Sequence, residues 1–371
     1  MSIEAAWWEP QENGQTVCTL CPIGCRLRRG QTGPCGTRAN RDGQMVPLSY
    51  GEIGGVLEAA AFDVPVGSLD QAFRMALVTG DGSTIFDPTA GHVTRDEAHL
   101  LLEALHDVFA DPDMSFLPGD GWRNVLLWKG ARDIRVRTVP PFEVVGKSLE
   151  AAMPKGTGIG RLLAAIERSR EILRGHEVNE CRRDLGENPA TMVWPWGPGV
   201  LVPLPDFKAR TGVEATVIAA NPSVVGAAKL QRIACREVPG ATGLPNSNLR
   251  AKGEAALAAL EETDLVVVHV DALAACSYRR DFVAKVETLE RVDGYLVGPL
   301  LEGLARRGDA RLVVIAGEAI SAETGRHLPD PVPFAIHGPG VRSHRKGGVT
   351  EIAARESGFF VEEGHELLDF L

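Results

Sequence analysis

The sequence has no basic surplus. Its 39 Lys and Arg stand against 49 Asp and Glu, a formal net charge of −10. Binding to nucleic acid needs clustered positive charge, so nucleic acid is excluded as the main partner. No apolar run approaches the roughly 20 residues of a membrane span, which excludes a membrane-crossing helix. The opening residues, Met1 to Pro10, hold neither a basic stretch nor an apolar one, so no signal peptide is expected and the chain is placed in the cytoplasm. Internal repeats and low-complexity tracts are also missing. What is present is ordinary globular composition, 44% hydrophobic and 24% charged over 371 residues, enough for more than one domain.

Cysteine is the residue with an uneven distribution. Four of the seven, Cys18, Cys21, Cys25 and Cys35, fall within 18 residues. Cys181, Cys235 and Cys276 are scattered and are expected to be small buried hydrophobes. In a reducing compartment such a cluster points to a metal site before a disulfide framework. The spacing is Cys18-x2-Cys21-x3-Cys25-x9-Cys35, with Gly24, Gly30, Gly33 and Gly36 placed to turn the chain around an ion. Four thiolates suit tetrahedral zinc or an iron–sulfur cluster, and the spacing leaves both open. The segment has few aliphatic runs, so a bound metal would help it hold together. Arg26, Arg28, Arg29, Arg38 and Arg41 make it locally basic: a solvated face, or a docking patch for an acidic redox partner.

Three regions follow from the pattern: a cysteine module over 1–52, a mixed α+β unit over 53–148, and an α/β core over 149–371. In the second, Ala72 to Thr79 and Asn124 to Trp128 are strand candidates. Thr94 with Glu97 three residues on predicts a capping box for a helix ending near Phe109. In the third, apolar runs at 215–220, 265–270, 312–316 and 332–336 alternate with helical stretches at about 157–174, 250–262 and 281–306. That rhythm predicts a parallel sheet covered on both faces.

Two resemblances add to this. Cys18-Thr-Leu-Cys-Pro-Ile-Gly-Cys25, then Gly30-Gln-Thr-Gly-Pro-Cys35-Gly-Thr-Arg-Ala-Asn40 and Tyr50-Gly51, is similar to the region preceding the core of glycyl-radical-activase-like radical SAM proteins. The core's own Cys-x3-Cys-x2-Cys order is reversed here, so S-adenosylmethionine chemistry is not implied. The resemblance favours an iron–sulfur cluster (4Fe–4S) over zinc.

The body resembles the archaeal-type cofactor-independent phosphoglycerate mutases of the alkaline phosphatase superfamily. The matching segments include Ala72-Phe73-Arg74, Ala90-Gly91-His92-Val93 with Glu97, Trp122-Arg123, Pro140-Pro141, Val178-Asn179 with Arg182, Gly240-Ala-Thr-Gly243, Val268-His269-Val270 and His327-Leu-Pro-Asp330. The resemblance implies an alkaline-phosphatase-like parallel core with an α+β lid domain. It implies isomerase chemistry on phosphorylated three-carbon acids, with Arg74 and Arg123 facing substrate. It also implies two divalent metals and a serine or threonine nucleophile. Here the chain departs. The family's front end, with its Asp-Gly and nucleophile, is replaced by the cysteine module. The Asp-x3-His pair falls on Ala274 and Tyr278, and the Asp-His pair on Glu318 and Ala319. His327 survives, leaving Glu318 and His327 as a vestigial metal site. The lid's His-Asp is Phe142-Glu143, and its Asn is Ala76. Alanine and phenylalanine carry no donor, so no Mn or Mg pair is expected.

The expectation is a pseudo-mutase scaffold carrying a cluster or zinc and binding a small phosphorylated or carboxylated metabolite or a redox partner. The alternative is an enzyme whose site is rebuilt or completed by a second chain.

Overall fold

The computed structural model describes residues 8–18, 25–31, 38–47, 53–109, 111–202, 204–325, 327–328, 330–342, 348–362 and 364–370. Cys21 and Cys35 lie outside the described residues. The chain forms two compact units, Met1–Gly212 with Pro222–Ile233, and Val213–Asn221 with Ala234–Leu371.

The first unit begins with β1 (Trp8–Pro10), β2 (Thr16–Cys18) and β3 (Arg26–Leu27), an antiparallel sheet, and the hairpin β4 (Arg38–Arg41) and β5 (Gln44–Pro47). There follow α1 (Gly54–Ala61), β6 (Gln71–Gly80), β7 (Ile85–Asp87), α2 (Arg95–Val108), β8 (Met114–Asp120) and β9 (Arg123–Trp128). Next come β10 (Val136–Arg137), α3 (Pro141–Val144), α4 (Leu149–Ala152), β11 (Lys155–Gly156), α5 (Gly160–Arg174), α6 (Glu177–Asp184), β12 (Met192–Gly199), α7 (Phe207–Thr211) and, further along, α8 (Pro222–Leu230). An antiparallel sheet runs β12-β6-β9-β8, with β7 also on β6. β6 is its centre and is buried on both faces, which is why it reads as a nearly continuous apolar run. Phe73, Met75 and Leu77 pack with Leu101, Leu105 and Leu162 of α2 and α5, while Ala76 and Val78 pack with Trp194 and Met192. The boundary expected at 148 therefore moves to Gly212, because α5 and β12 complete this sheet and its core.

The capping box forms as predicted. Thr94 Oγ1 accepts from the Glu97 amide and the Glu97 carboxylate accepts from the Thr94 amide. The same carboxylate takes Arg182 Nη1 at 2.9 Å, while Arg182 Nη2 donates to the Ala90 and Gly91 carbonyls at 3.0 Å. Helix α1 lies so close on β6 that a Cβ at Gly55 would come 2.1 Å from the Ala72 carbonyl oxygen. Gly226 of α8 meets α1 in the same way, with a Cβ 1.8 Å from the Leu57 carbonyl oxygen.

The second unit contains β13 (Ala215–Ile218), β14 (Ala234–Cys235), α9 (Leu249–Ala259), β15 (Leu265–Val268), α10 (Ala272–Tyr278), α11 (Phe282–Val292), α12 (Gly298–Arg307), β16 (Leu312–Ile315), β17 (Ala319–Ile320), β18 (His327–Leu328), β19 (Phe334–His337) and α13 (Glu351–Ser357). The predicted strands are present, but the single parallel sheet is not what they form. β14-β13-β15 is parallel, whereas β16 pairs antiparallel with β19, and β17 with β18. Apolar runs without alternation specify burial and leave direction and partner to tertiary contacts. Coverage of both faces is also incomplete: Val267 of β15 is 42% exposed and Ile315 of β16 is 49% exposed. No helix among the described residues is long and apolar enough to cross a membrane. Of the scattered cysteines, Cys276 is buried as expected, but Cys181 is exposed on the polar face of α6.

Candidate functional site

The carboxyl ends of the parallel strands gather polar side chains. Asn221 follows β13, and its Nδ2 donates to the Asp271 carboxylate at 3.2 Å, just beyond β15. His269 sits between, its amide donating to the Ile218 carbonyl at 2.9 Å. Lys252 of α9 is 1% exposed and donates from Nζ to the His269 carbonyl at 2.7 Å. Burial holds the Lys252 ammonium below its ordinary pKa, with Asp271 opposing. Burial also lowers His269, whose ring is pulled up by Asp271, down by Lys252 and up by Glu318. Among the described residues the buried Nδ1 of its imidazole makes no hydrogen bond. Burial, then Glu318 and Asp271, raise the half-exposed Tyr278. This cluster gathers an ammonium, an imidazole and an amide beside the Asp271 carboxylate, with the Lys252 and Asn221 donors partly engaged by His269 and Asp271.

In the first unit, Arg74 and Arg123 lie on one face of neighbouring strands, since Arg74 is opposite Val125 and Ala76 opposite Arg123. The internal carboxylate beside them is Glu58 of α1. Arg74 Nε is 3.0 Å from Glu58 Oε2, an ion pair without an aligned hydrogen bond. Arg74 also bonds the Ser223 hydroxyl and lies over the Trp196 ring at 4.7 Å. Burial raises Glu58, and Arg74 and Arg123 only partly offset it. Arg123 stacks over Trp122 at 4.5 Å, and Phe142 meets the same ring edge-on at 5.3 Å.

In the amino-terminal hairpin, Cys18 and Cys25 stand across from each other. The Cys18 amide donates to the Cys25 carbonyl at 2.9 Å, continuing the β2–β3 ladder. Neither thiol is in a disulfide among the described residues, and both belong to a small cluster with Trp8, Leu27 and Met45.

A family model described as 2,3-bisphosphoglycerate-independent phosphoglycerate mutase matches residues 50–179. The enzyme of that name from Methanothrix thermoacetophila is 35% identical over 85% of this chain and 80% of its own length. A Methanothermobacter thermautotrophicus relative with the same description is 33% identical, over 98% of this chain and 85% of its own. The chain belongs to the 2,3-bisphosphoglycerate-independent phosphoglycerate mutase family. The fold agrees with the cofactor-independent phosphoglycerate mutase of Thermoplasma acidophilum, at TM-score 0.50, 22% identity and coverage of 86% of this chain and 81% of that one. A Pyrococcus horikoshii protein gives TM-score 0.59 at 21% identity, covering 78% and 69%.

The mutase family resemblance implies two divalent ions, and at the positions it gives for their ligands stand Ala274, Tyr278, Glu318 and Ala319. Ala274 and Ala319 carry no donor, and Tyr278 is a phenol held above its ordinary pKa. Among the described residues, no three His, Cys, Asp or Glu side chains are grouped to hold a metal ion. Glu318 is exposed just before β17, and His327 is paired to Ile320 in β18, its side chain outside the described residues. Ala76 has joined the core beside Trp194.

Two residues of these sites escape a reading from sequence, Lys252 and Glu58. Each had a signal. Lys252 falls three residues after Leu249 and four before Ala256, on the buried stripe of α9, and Glu58 is the lone charge in an otherwise apolar helix.

Proposed function

We propose that this mutase-family chain is a scaffold that binds a small phosphorylated or carboxylated acid without metal-dependent phosphoryl transfer, and that Cys18, Cys21, Cys25 and Cys35 hold an iron–sulfur cluster or zinc. The observation that carries the first part is Lys252, buried at the strand ends, in a chain with Ala274, Ala319 and Tyr278 where the family resemblance implies metal donors. The Lys252 ammonium, out of water at a strand end, is held by the His269 carbonyl and by the charge of Asp271. The ligand's oxygens would take Lys252, His269 Nδ1 and Asn221. On the first unit Arg123 is the arginine left for an anion, since Arg74 is engaged by Glu58 and Ser223. The facing Cys18 and Cys25 support the second part, because a four-thiolate site needs its donors on tight, closely paired turns. The centre would supply cross-linking of a segment with little core, and, if it is iron–sulfur, an electron-transfer group for a redox partner.

The chain should give no turnover of 3-phosphoglycerate with added manganese or cobalt, and 3-phosphoglycerate should raise its melting temperature by mass action. Lys252→Met should remove that rise. Turnover that tracks added metal would refute the scaffold reading, and a melting curve indifferent to millimolar phosphoglycerate would refute the binding site.

The exposed apolar residues Val267 and Ile315 favour a second reading. Among the described residues β15 and β16 are each paired on one side only, as strands awaiting a neighbour would be. A partner chain supplying that strand and a nucleophile would make the assembly an isomerase. Mutase activity appearing only on mixing with a co-purifying protein would establish it.

A further inference from the structure

We propose that Arg26, Arg28 and Arg29 form a binding site for a small, non-aromatic polyanion carrying several phosphate groups. The turn after β3 borders an open surface depression of about 660 Å³, lined among the described residues by Gln15, Arg26, Arg28, Arg29, Gly30 and Gln31. That lining has three guanidiniums, two amides and no carboxylate. Arg74, Arg161, Arg170, Arg182, Arg236 and Arg307 each sit in an ion pair. Among the described residues none of the three around the depression does. Three like charges facing one space repel, and a chain of net charge −10 has many carboxylates with which to relieve them. Their being left open in a concavity is the arrangement of an anion receptor.

The site is also built rather than merely charged. Asn40, with no exposed surface, ties three segments together beneath it. Its Nδ2 donates to the Gly14 and Leu27 carbonyls at 2.9 Å, and its Oδ1 accepts from Gly43 at 2.8 Å. The Gly30 amide donates to the Asn40 carbonyl, the Asn40 amide to the Gln31 carbonyl, and the Arg28 amide to Gln31 Oε1. Gly14 and Gly43 have φ of +70° and +92°, and Arg29 lies against both. A Cβ at Gly14 would come 2.6 Å from Arg29 Nε. The turn is therefore held before any ligand arrives, which lowers the ordering cost of binding.

The chemistry of the lining selects the ligand. A guanidinium fork matches phosphate oxygens bidentately, and three of them ask for a compound with more than one phosphate. Among the described residues the lining has no aromatic or aliphatic side chain to hold a base or a lipid tail. Among the described residues, neither the neighbouring thiols nor the Lys252 cluster contributes to this lining.

Inorganic tripolyphosphate titrated calorimetrically into the full chain should bind at one site, more weakly as sodium chloride is added. Arg28→Gln should weaken binding about tenfold, and Arg26→Gln/Arg28→Gln about a hundredfold, as for loss of one and two charge-assisted contacts. Arg28→Lys should fall between. Both arginines are exposed, so the urea midpoint should not move. The rise in melting temperature with 3-phosphoglycerate should persist in the double variant, which separates this site from the one at Lys252. Absence of saturable binding, or binding unaffected by the double variant, would overturn the assignment. So would tighter binding of a single-stranded oligonucleotide or of a polyglutamate peptide, which would make the surface a macromolecular one.

Discussion

At the scale of single residues, burial decides what charges do in this protein. Glu58 and Arg74 are both largely withdrawn from water, and burial of the carboxyl outweighs the attraction of Arg74 and Arg123. Its folded pKa lies above the unfolded one, so the stability it contributes falls as pH rises through that interval. Removing one partner strands the other: Arg74→Met should cost about 3–5 kcal/mol in urea unfolding, and Arg74→Met/Glu58→Leu should recover most of it. Glu97 has the opposite sign. Burial pushes it up, but Thr94 and Arg182 together bring it below the ordinary value. Its contribution is present above the unfolded pKa of about 4.3 and is lost as pH falls through the folded one. Thr94→Ala should cost about 1 kcal/mol at pH 7, measured by the same unfolding experiment. Thr94 and Glu97 were legible because a cap is a local motif. Glu58 and Lys252 were not, because a charge on a helix is ordinarily solvated and only packing places it inside.

At the scale of elements, strands and helices were found within a few residues, and their partners were not. The runs 312–316 and 332–336 read as two more parallel strands, yet β16 and β19 pair antiparallel with each other. Neither run carries a turn signal or alternation that would fix direction. The cysteine spacing was legible as a candidate centre, and the hairpin places two of its members opposite each other. Cys21→Ser should abolish metal retention and loosen the first 50 residues, followed by iron, sulfide and zinc analysis and by limited proteolysis. A metal-free chain with an intact amino-terminal hairpin would refute the centre. The paired glycine contacts at Gly55 and Gly226 had no signal in one sequence beyond glycine within a helix. A close approach is a property of two segments and cannot be read from either alone.

At the scale of the whole molecule, the mutase family was legible from short collinear matches, and the boundary between units was not, because β12 returns to the first sheet from beyond the expected division. The route of the chain has a further consequence. It leaves the first unit after Gly212, builds β13 in the second, comes back to lay α8 on α1 through Gly226, and departs again after Ile233. On the ribosome, the amino-terminal unit therefore cannot finish folding when its own sheet is complete. It must wait for the segment carrying α8 to emerge, with the Leu57 side of α1 uncovered in the interval. A nascent chain arrested with Gly212 just outside the exit tunnel should be protease-sensitive around α1, and one arrested with Ile233 outside should be protected there.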